Sequence, residues 1–165
     1  MNIDFVESEP DAYFNPSVEV IGDISHSLRR IAEKIKGPRS FPAFARTRAL
    51  IERKMDGFVE SRYPFLPQEI VKSVREVMSR EDIVALDNGI YKLWFSRLYR
   101  TFKPNTFLLD NALATMGAGL PAGIAAKMLH PDRKVLAVCG DGGFMMNSQE
   151  LETALRYRAS IVVLL

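Results

Sequence analysis

The pattern of apolar and polar positions predicts a regular succession of strands and helices over residues 67–165. Four short apolar runs predict strands, at residues 83–86, 106–109, 134–139 and 161–165. The pattern predicts one helix before the first of these strands, beginning at Pro67. It predicts three more between the strands, over residues 89–99, 120–129 and 147–157. Because strands that alternate with helices of this length form parallel sheets, the fold class we predict is α/β, with a doubly wound parallel sheet.

The first third of the chain carries the pattern of a separate α/β unit. Strands and a helix are predicted here, at Ile3–Val6, Val18–Ile21 and residues 24–35. Asp23 or Ser25 can cap this helix, and Gly37-Pro38 ends it. Turn formers over residues 37–42 predict a linker, and a charged helix is expected over residues 43–62.

Composition and charge exclude several classes of protein. No apolar run approaches the roughly 20 residues that span a bilayer, and acidic residues follow Met1 in place of a basic and apolar leader. We therefore expect a cytoplasmic protein with no membrane partner. The single cysteine, Cys139, lies in an apolar run and is expected to be a buried structural thiol. Basic and aromatic residues interleave over residues 91–103, but a solvated amphipathic face is commoner than a nucleic-acid site, and we expect no nucleic-acid partner.

The most informative segment begins where the predicted strand 134–139 ends. Asp141 stands between Gly140 and the pair Gly142-Gly143. Its carboxylate is the kind of oxygen ligand that Mg²⁺ or Ca²⁺ prefers, and the glycines let backbone N–H groups approach an anion. A capping box is predicted at the start of the next helix, formed by Asn147 and Glu150. This arrangement suits a metal-bridged diphosphate, although an ordinary tight turn has the same pattern.

A second glycine-rich segment, Gly117 to Gly123, also follows a strand and opens a helix. It resembles a dinucleotide-binding loop, since Asp141 lies 22 residues after Gly119, where a ribose-binding acid would stand. A non-catalytic module that binds a nucleotide such as NAD is therefore an alternative function. The glycines can also serve only close packing of helix on sheet. Met116, just before them, is either a core residue or a contact for a ligand.

The chain from Asp82 onward resembles the diphosphate-binding domain of thiamine-diphosphate enzymes, most closely the acetolactate synthase large subunit. Four blocks carry this resemblance in matching order and spacing, at Asp82–Gly89, Trp94, Leu113–Gly123 and Gly140–Leu151. Residues 1–37 resemble more loosely the end of the family's middle domain. The resemblance implies three parts, with residues 1–37 as the end of the middle domain, 38–66 as linker and connecting helix, and 67–165 as the first part of the diphosphate-binding domain.

The resemblance also implies cofactors and site residues. Thiamine diphosphate and Mg²⁺ would be bound, with Asp141 as metal ligand and Met116 supporting the bent cofactor. The implied cofactor-binding residues are Asn88, Gly89, Met116, Gly117, Gly119, Gly140, Asp141, Gly142 and Gly143. At residues 90–92, directly after Gly89, the sequence departs from the family's pattern.

The activity that the resemblance implies is carboligation or decarboxylation of small 2-oxo acids of the pyruvate class. The family's full-length enzymes imply a homo-oligomer. The family's second metal ligand, an asparagine, follows an apolar strand that corresponds to residues 160–165, and its activating glutamate belongs to another domain. We therefore name no catalytic residue in this chain and expect residues 1–165 alone to be inactive, either as a piece of a larger enzyme or as a truncated product.

Overall fold

A computed structural model describes residues 1–11, 13–37, 41–56 and 63–165. The chain forms two compact units, residues 1–45 and 46–165. The expected turn at residues 38–40 and the expected last turns of the charged helix, residues 57–62, lie outside the described residues. In the part of the chain that is described, no helix is long and apolar enough to cross a membrane.

The first unit is a small parallel βα arrangement. Its elements are β1 (Asn2–Asp4), β2 (Glu19–Ile21) and α1 (Ile24–Lys34). Strands β1 and β2 pair in parallel, with Ile3 opposite Val20. Asp23 caps α1, because its side chain accepts the N–H of His26 at 2.5 Å. Of the two predicted caps, the structure therefore uses Asp23. Helix α2 (Pro42–Asp56) begins in this unit.

The second unit is a four-stranded parallel sheet with helices on both faces. Its strands are β3 (Ile83–Leu86), β4 (Phe107–Leu109), β5 (Val135–Val138) and β6 (Val162–Leu164). Its helices are α3 (Pro67–Val77), α4 (Tyr91–Leu98), α5 (Gly119–Leu129), α6 (Asp141–Met146) and α7 (Glu150–Arg156). The strand order is β4-β3-β5-β6, and every pairing is parallel. The predicted α/β fold class is confirmed.

Alternate side chains of the two central strands enter different apolar clusters. Val84 and Leu86 of β3, with Leu136 and Val138 of β5, pack with residues of α3 and α4. Ala137, the residue between those of β5, packs with Leu120 and Ile124 of α5 on the other face. Every residue of β3 and β5 is buried, as expected for strands covered on both faces. Burial of a large aliphatic side chain contributes about 1.5–3 kcal/mol, so these two clusters hold the sheet together.

The helix predicted over residues 147–157 was wrong at its start. The chain enters α6 directly at Asp141, with Gly140 in an extended conformation as its first cap. Asn147 ends α6, and its side-chain amide donates to the carbonyl oxygen of Gly117 at 2.7 Å. Gln149 precedes α7 without a side-chain cap bond, so the predicted capping box of Asn147 and Glu150 does not form. The Asn147 side chain, which the sequence pattern assigns to a helix cap, instead bonds the backbone carbonyl of Gly117 in a neighbouring loop.

Candidate functional site

Three loops meet at one edge of the sheet, where β3, β4 and β5 end. In a parallel sheet the carboxyl ends of all strands lie at the same edge, which is where such folds bind ligands. The first two loops are residues 87–90 and 110–118, and the third is the link 139–140 together with the first turn of α6. Hydrogen bonds connect the first loop to the second, and the second to the residue that ends α6. The predicted cofactor residues therefore lie in one region.

Asp87, directly after β3, is the organising residue of this region. Its side chain is fully buried, with 0% of its surface exposed. The carboxylate accepts backbone N–H groups from Asn88 at 2.8 Å, Gly117 at 3.1 Å and Ala118 at 3.2 Å. In the sequence analysis Asp87 appears only within the matching block Asp82–Gly89 and has no role in the site. The available signal was an acid placed immediately after a fully apolar strand, where a buried charge must find donors.

Three of the predicted cofactor glycines surround the Asp87 carboxylate or its hydrogen bonds. A Cβ on Gly119 would lie 2.6 Å from the Cβ of Asp87, and a Cβ on Gly143 would overlap its Oδ2. Gly117 has φ +84°, in the left-handed region that favours glycine. These glycines therefore have a packing reason in the fold itself. Gly123, expected to serve packing, contacts the sheet closely, because its added Cβ would lie 3.2 Å from that of Ala137.

The loop after β3 is tied to the loop after β4 by side chains. The Asn88 amide donates to the carbonyl oxygen of Thr115 at 2.7 Å. The Lys92 ammonium donates to the side-chain oxygen of Asn88 and, at 2.5 Å, to the carbonyl oxygen of Asp110. Lys92 belongs to the segment that departs from the family's pattern, and here it bridges two loops. Gly89 leaves room for the ring of Tyr91, which an added Cβ would strike.

Asp141, Gly142 and Met116 form the open part of the region. Asp141 is exposed as the first residue of α6, and Met116 is 46% exposed. A Cβ on Gly142 would meet only the terminal methyl of Met116, at 3.7 Å, which is ordinary contact. Among the described residues no cluster of three or more His, Cys, Asp or Glu side chains could hold a metal ion.

Two titratable groups lie buried beside this region. Burial, with an added effect of the charge on Asp87, raises the pKa of the Cys139 thiol to about 11. Burial is also the main cause that raises the pKa of Tyr91 to about 12. Both groups therefore stay protonated at neutral pH. The expectation of a buried structural thiol at Cys139 agrees with its exposure of 2%.

Two cavities adjoin the sheet. One, of about 360 Å³, is lined by Tyr91, Trp94, Gly140 and Asp141 together with apolar residues. A larger one, of about 570 Å³, lies between α3 and strands β5 and β6 and has a mainly apolar lining. The smaller cavity is the one that adjoins the candidate site, because Gly140 and Asp141 line it. Neither residue lines the larger cavity.

Comparison with known proteins identifies relatives for most of the chain. Residues 87–165 match the family described as "Thiamine pyrophosphate enzyme, C-terminal TPP binding domain". The chain is 31% identical over 170 residues to the catabolic acetolactate synthase of Raoultella terrigena, which covers 98% of this chain and 30% of that protein. It is 31% identical over 174 residues to the acetolactate synthase of Bacillus subtilis, covering 98% of this chain and 29% of the relative.

A third relative matches a shorter stretch of the chain. The acetolactate synthase isozyme 1 large subunit of Escherichia coli is 36% identical over 96 residues, which cover 58% of this chain and 17% of that protein. The chain spans about 30% of the length of the first two relatives. The first two matches thus include the strands and loops that meet at the candidate site, in proteins much longer than this chain.

Proposed function

We propose that this chain, whose residues 87–165 match the thiamine pyrophosphate enzyme family, is a member of that family and binds the diphosphate of thiamine diphosphate at the loops after β3, β4 and β5. Thiamine diphosphate and Mg²⁺ are the cofactors that this membership implies. The observation that carries the proposal is Asp141, an exposed carboxylate beside Gly140 and Gly142 at the carboxyl edge of a parallel sheet. Ligands of α/β sheets bind at this edge.

The residues at this edge fit a diphosphate and its metal. Mg²⁺ in phosphate sites is held by one or two carboxylates, with phosphate oxygens and water completing the octahedron. Asp141 would supply the carboxylate, and the backbone N–H groups of Gly140, Gly142 and Gly143 would face the diphosphate. Asn88, Gly89, Gly117 and Gly119 would shape the surrounding loops. Met116, half exposed beside Gly142, would contact the organic part of the cofactor.

The proposed activity is carboligation or decarboxylation of a small 2-oxo acid of the pyruvate class, in a protein that includes the family's other domains. Bound thiamine diphosphate supplies a nucleophilic carbon and an electron sink for this chemistry. This chain's own residues hold the diphosphate and its metal, orient the cofactor and exclude water from its buried side. The two relatives that cover most of this chain are named acetolactate synthases.

A binding titration of the chain tests the cofactor site. Trp94 lines the cavity that includes Asp141, so its fluorescence reports on ligand there. We expect thiamine diphosphate to quench it in the presence of Mg²⁺ and much less in the presence of EDTA, with NAD producing no change. Asp141→Asn should greatly weaken the Mg²⁺-dependent part, because the amide lacks the negative charge that attracts the cation.

Asp132→Asn is the matched control for Asp141→Asn. Asp132 is an exposed carboxylate that lies before β5, at the opposite end of the strand from Asp141. This variant should bind thiamine diphosphate and Mg²⁺ as the parent chain does. Unchanged affinity in Asp141→Asn, or equal loss in both variants, would refute the assignment of the metal ligand. Quenching by NAD in place of thiamine diphosphate would support a dinucleotide module.

A further inference from the structure

The buried carboxylate of Asp87 joins two segments that are far apart in sequence. Asp87 and Gly117 are 30 residues apart, yet Gly117 and Ala118 both donate their backbone N–H groups to this side chain. A carboxylate without water needs several donors to offset its lost hydration. Asp87 obtains them from backbone that lies between the exposed Met116 and the first turn of α5. The backbone of the turn 116–118 is therefore bonded to the Asp87 side chain through two of its N–H groups.

The surroundings of Asp87 prevent its carboxylate from turning away. Gly119 brings its backbone against the Cβ of Asp87, and Gly143 brings its backbone against Oδ2, so closely that neither position has room for a Cβ. On its other side the turn is fixed by the Asn147 amide, which donates to the carbonyl oxygen of Gly117 at 2.7 Å. The peptide groups around Gly117 thus have a bonded N–H and a bonded C=O. These two hydrogen bonds restrict the conformation of the turn.

We propose that Asp87 is a positioning residue for the cofactor: it sets the conformation of the turn 116–118 and thereby the place of Met116. The cofactor part of this inference rests on the proposed function. Asp87 is fully buried and would touch neither the diphosphate nor the metal. It would act through the backbone of the turn, where small displacements of a ligand-contacting group have large effects on binding geometry.

Asp82 provides a matched control at the opposite end of the same strand. Its carboxylate is also buried, with 6% exposure, and accepts backbone N–H groups from Ser79 at 2.7 Å and Lys134 at 3.0 Å. These partners lie at the amino ends of β3 and β5, across the sheet from the candidate site. Asp82→Asn therefore removes a comparable buried carboxylate without disturbing the turn.

The test compares Asp87→Asn with Asp82→Asn by amide hydrogen exchange, measured by NMR, and by titration with thiamine diphosphate and Mg²⁺. Asparagine keeps the size of the side chain but replaces one acceptor oxygen by a donor, so it cannot accept from both sides. In Asp87→Asn we expect the N–H of Gly117 or Ala118 to exchange about tenfold faster or more. Cofactor affinity should fall by about tenfold. In Asp82→Asn, faster exchange should appear at Ser79 or Lys134, with cofactor affinity unchanged.

The two measurements separate this inference from the proposed function. If the parent chain binds no thiamine diphosphate, the proposed function fails for it, and exchange at Gly117 and Ala118 still decides whether Asp87 holds the turn. Unchanged exchange there in Asp87→Asn would overturn the inference, as would equal loss of affinity in Asp82→Asn. If Asp87→Asn does not fold, the parent chain decides. Slow exchange at Gly117 and Ala118 relative to Leu113 supports the inference, and equal rates overturn it.

Discussion

Adjacent glycines in the first turn of α6 should respond in opposite ways to the same substitution. Alanine gains helix propensity over glycine of up to about 1 kcal/mol, and this gain is shared by Gly142→Ala and Gly143→Ala. At Gly142 the added methyl meets only the flexible end of Met116 at 3.7 Å. We therefore expect Gly142→Ala to leave the free energy of unfolding unchanged or to raise it slightly.

At Gly143 the added methyl overlaps Oδ2 of Asp87. Overpacking of a buried site costs about 1–3 kcal/mol, and rotation of the carboxylate would break its bond to Gly117, worth about 1.5–3 kcal/mol for a charged acceptor. One or the other response is forced, so Gly143→Ala should lie about 1–3 kcal/mol below Gly142→Ala in unfolding free energy. Urea denaturation of both variants, with the slope m compared, measures this difference.

A double substitution shows whether the overlap with Asp87 is the cause. In the Gly143→Ala background, Asp87→Ala removes the overlapping oxygen. The loss of unfolding free energy that Asp87→Ala causes should therefore be smaller in this background than in the parent chain, by at least about 1 kcal/mol. Equal unfolding free energies for the two alanine variants would refute the packing argument. Additive effects of Asp87→Ala and Gly143→Ala would refute the role of Asp87 in it.

The remaining predictions concern Cys139 and Asn147. Because burial raises the pKa of Cys139 from 9.0 to about 11, the unfolded chain loses this proton first, and the free energy of unfolding should fall as pH rises from 9 to 11. Cys139→Ala should reduce that slope in urea denaturations at several pH values, and an unaltered slope would contradict the shift. Asn147→Ala and Asn147→Ser should each lose about 1 kcal/mol, since neither replaces the bond to Gly117. Full stability of the serine variant would restore the helix-cap interpretation.

The sequence pattern was sufficient for the sheet because strand signals depend on short local runs. The runs at residues 83–86 and 134–139 became the two fully buried strands, and Pro67 opens α3 as predicted. The start of the helix after β5 was missed because Asn147 followed by Glu150 is a sound local signal for a cap. A long-range bond to Gly117 decided its conformation instead. Local patterns carry no information about an acceptor 30 residues away.

At the candidate site, too, the sequence revealed some residues and missed others. The residues with open surface, Asp141 and Met116, were found from chemistry and resemblance, and their roles remain predictions. The role of Asp87 was missed because it depends on three N–H groups, two of which come from a loop distant in sequence. Sequence reasoning gave Gly117, Gly119 and Gly143 to the ligand, whereas the structure also gives each a partner within the protein.

The length of β3 is coupled to the candidate site through the alternation of its side chains. Ile83 packs with Ala126 of α5, whereas Val84 and Leu86 pack with the α3 and α4 cluster, so odd-numbered positions point toward α5. Asp87 continues the odd series and meets the turn before α5. Deletion or insertion of one residue within β3 would move the side chains that follow it in the strand, and that of Asp87, to the opposite face of the sheet. The carboxylate would then enter the apolar cluster under α4, so only length changes that preserve this parity are compatible with a bonded turn at Gly117.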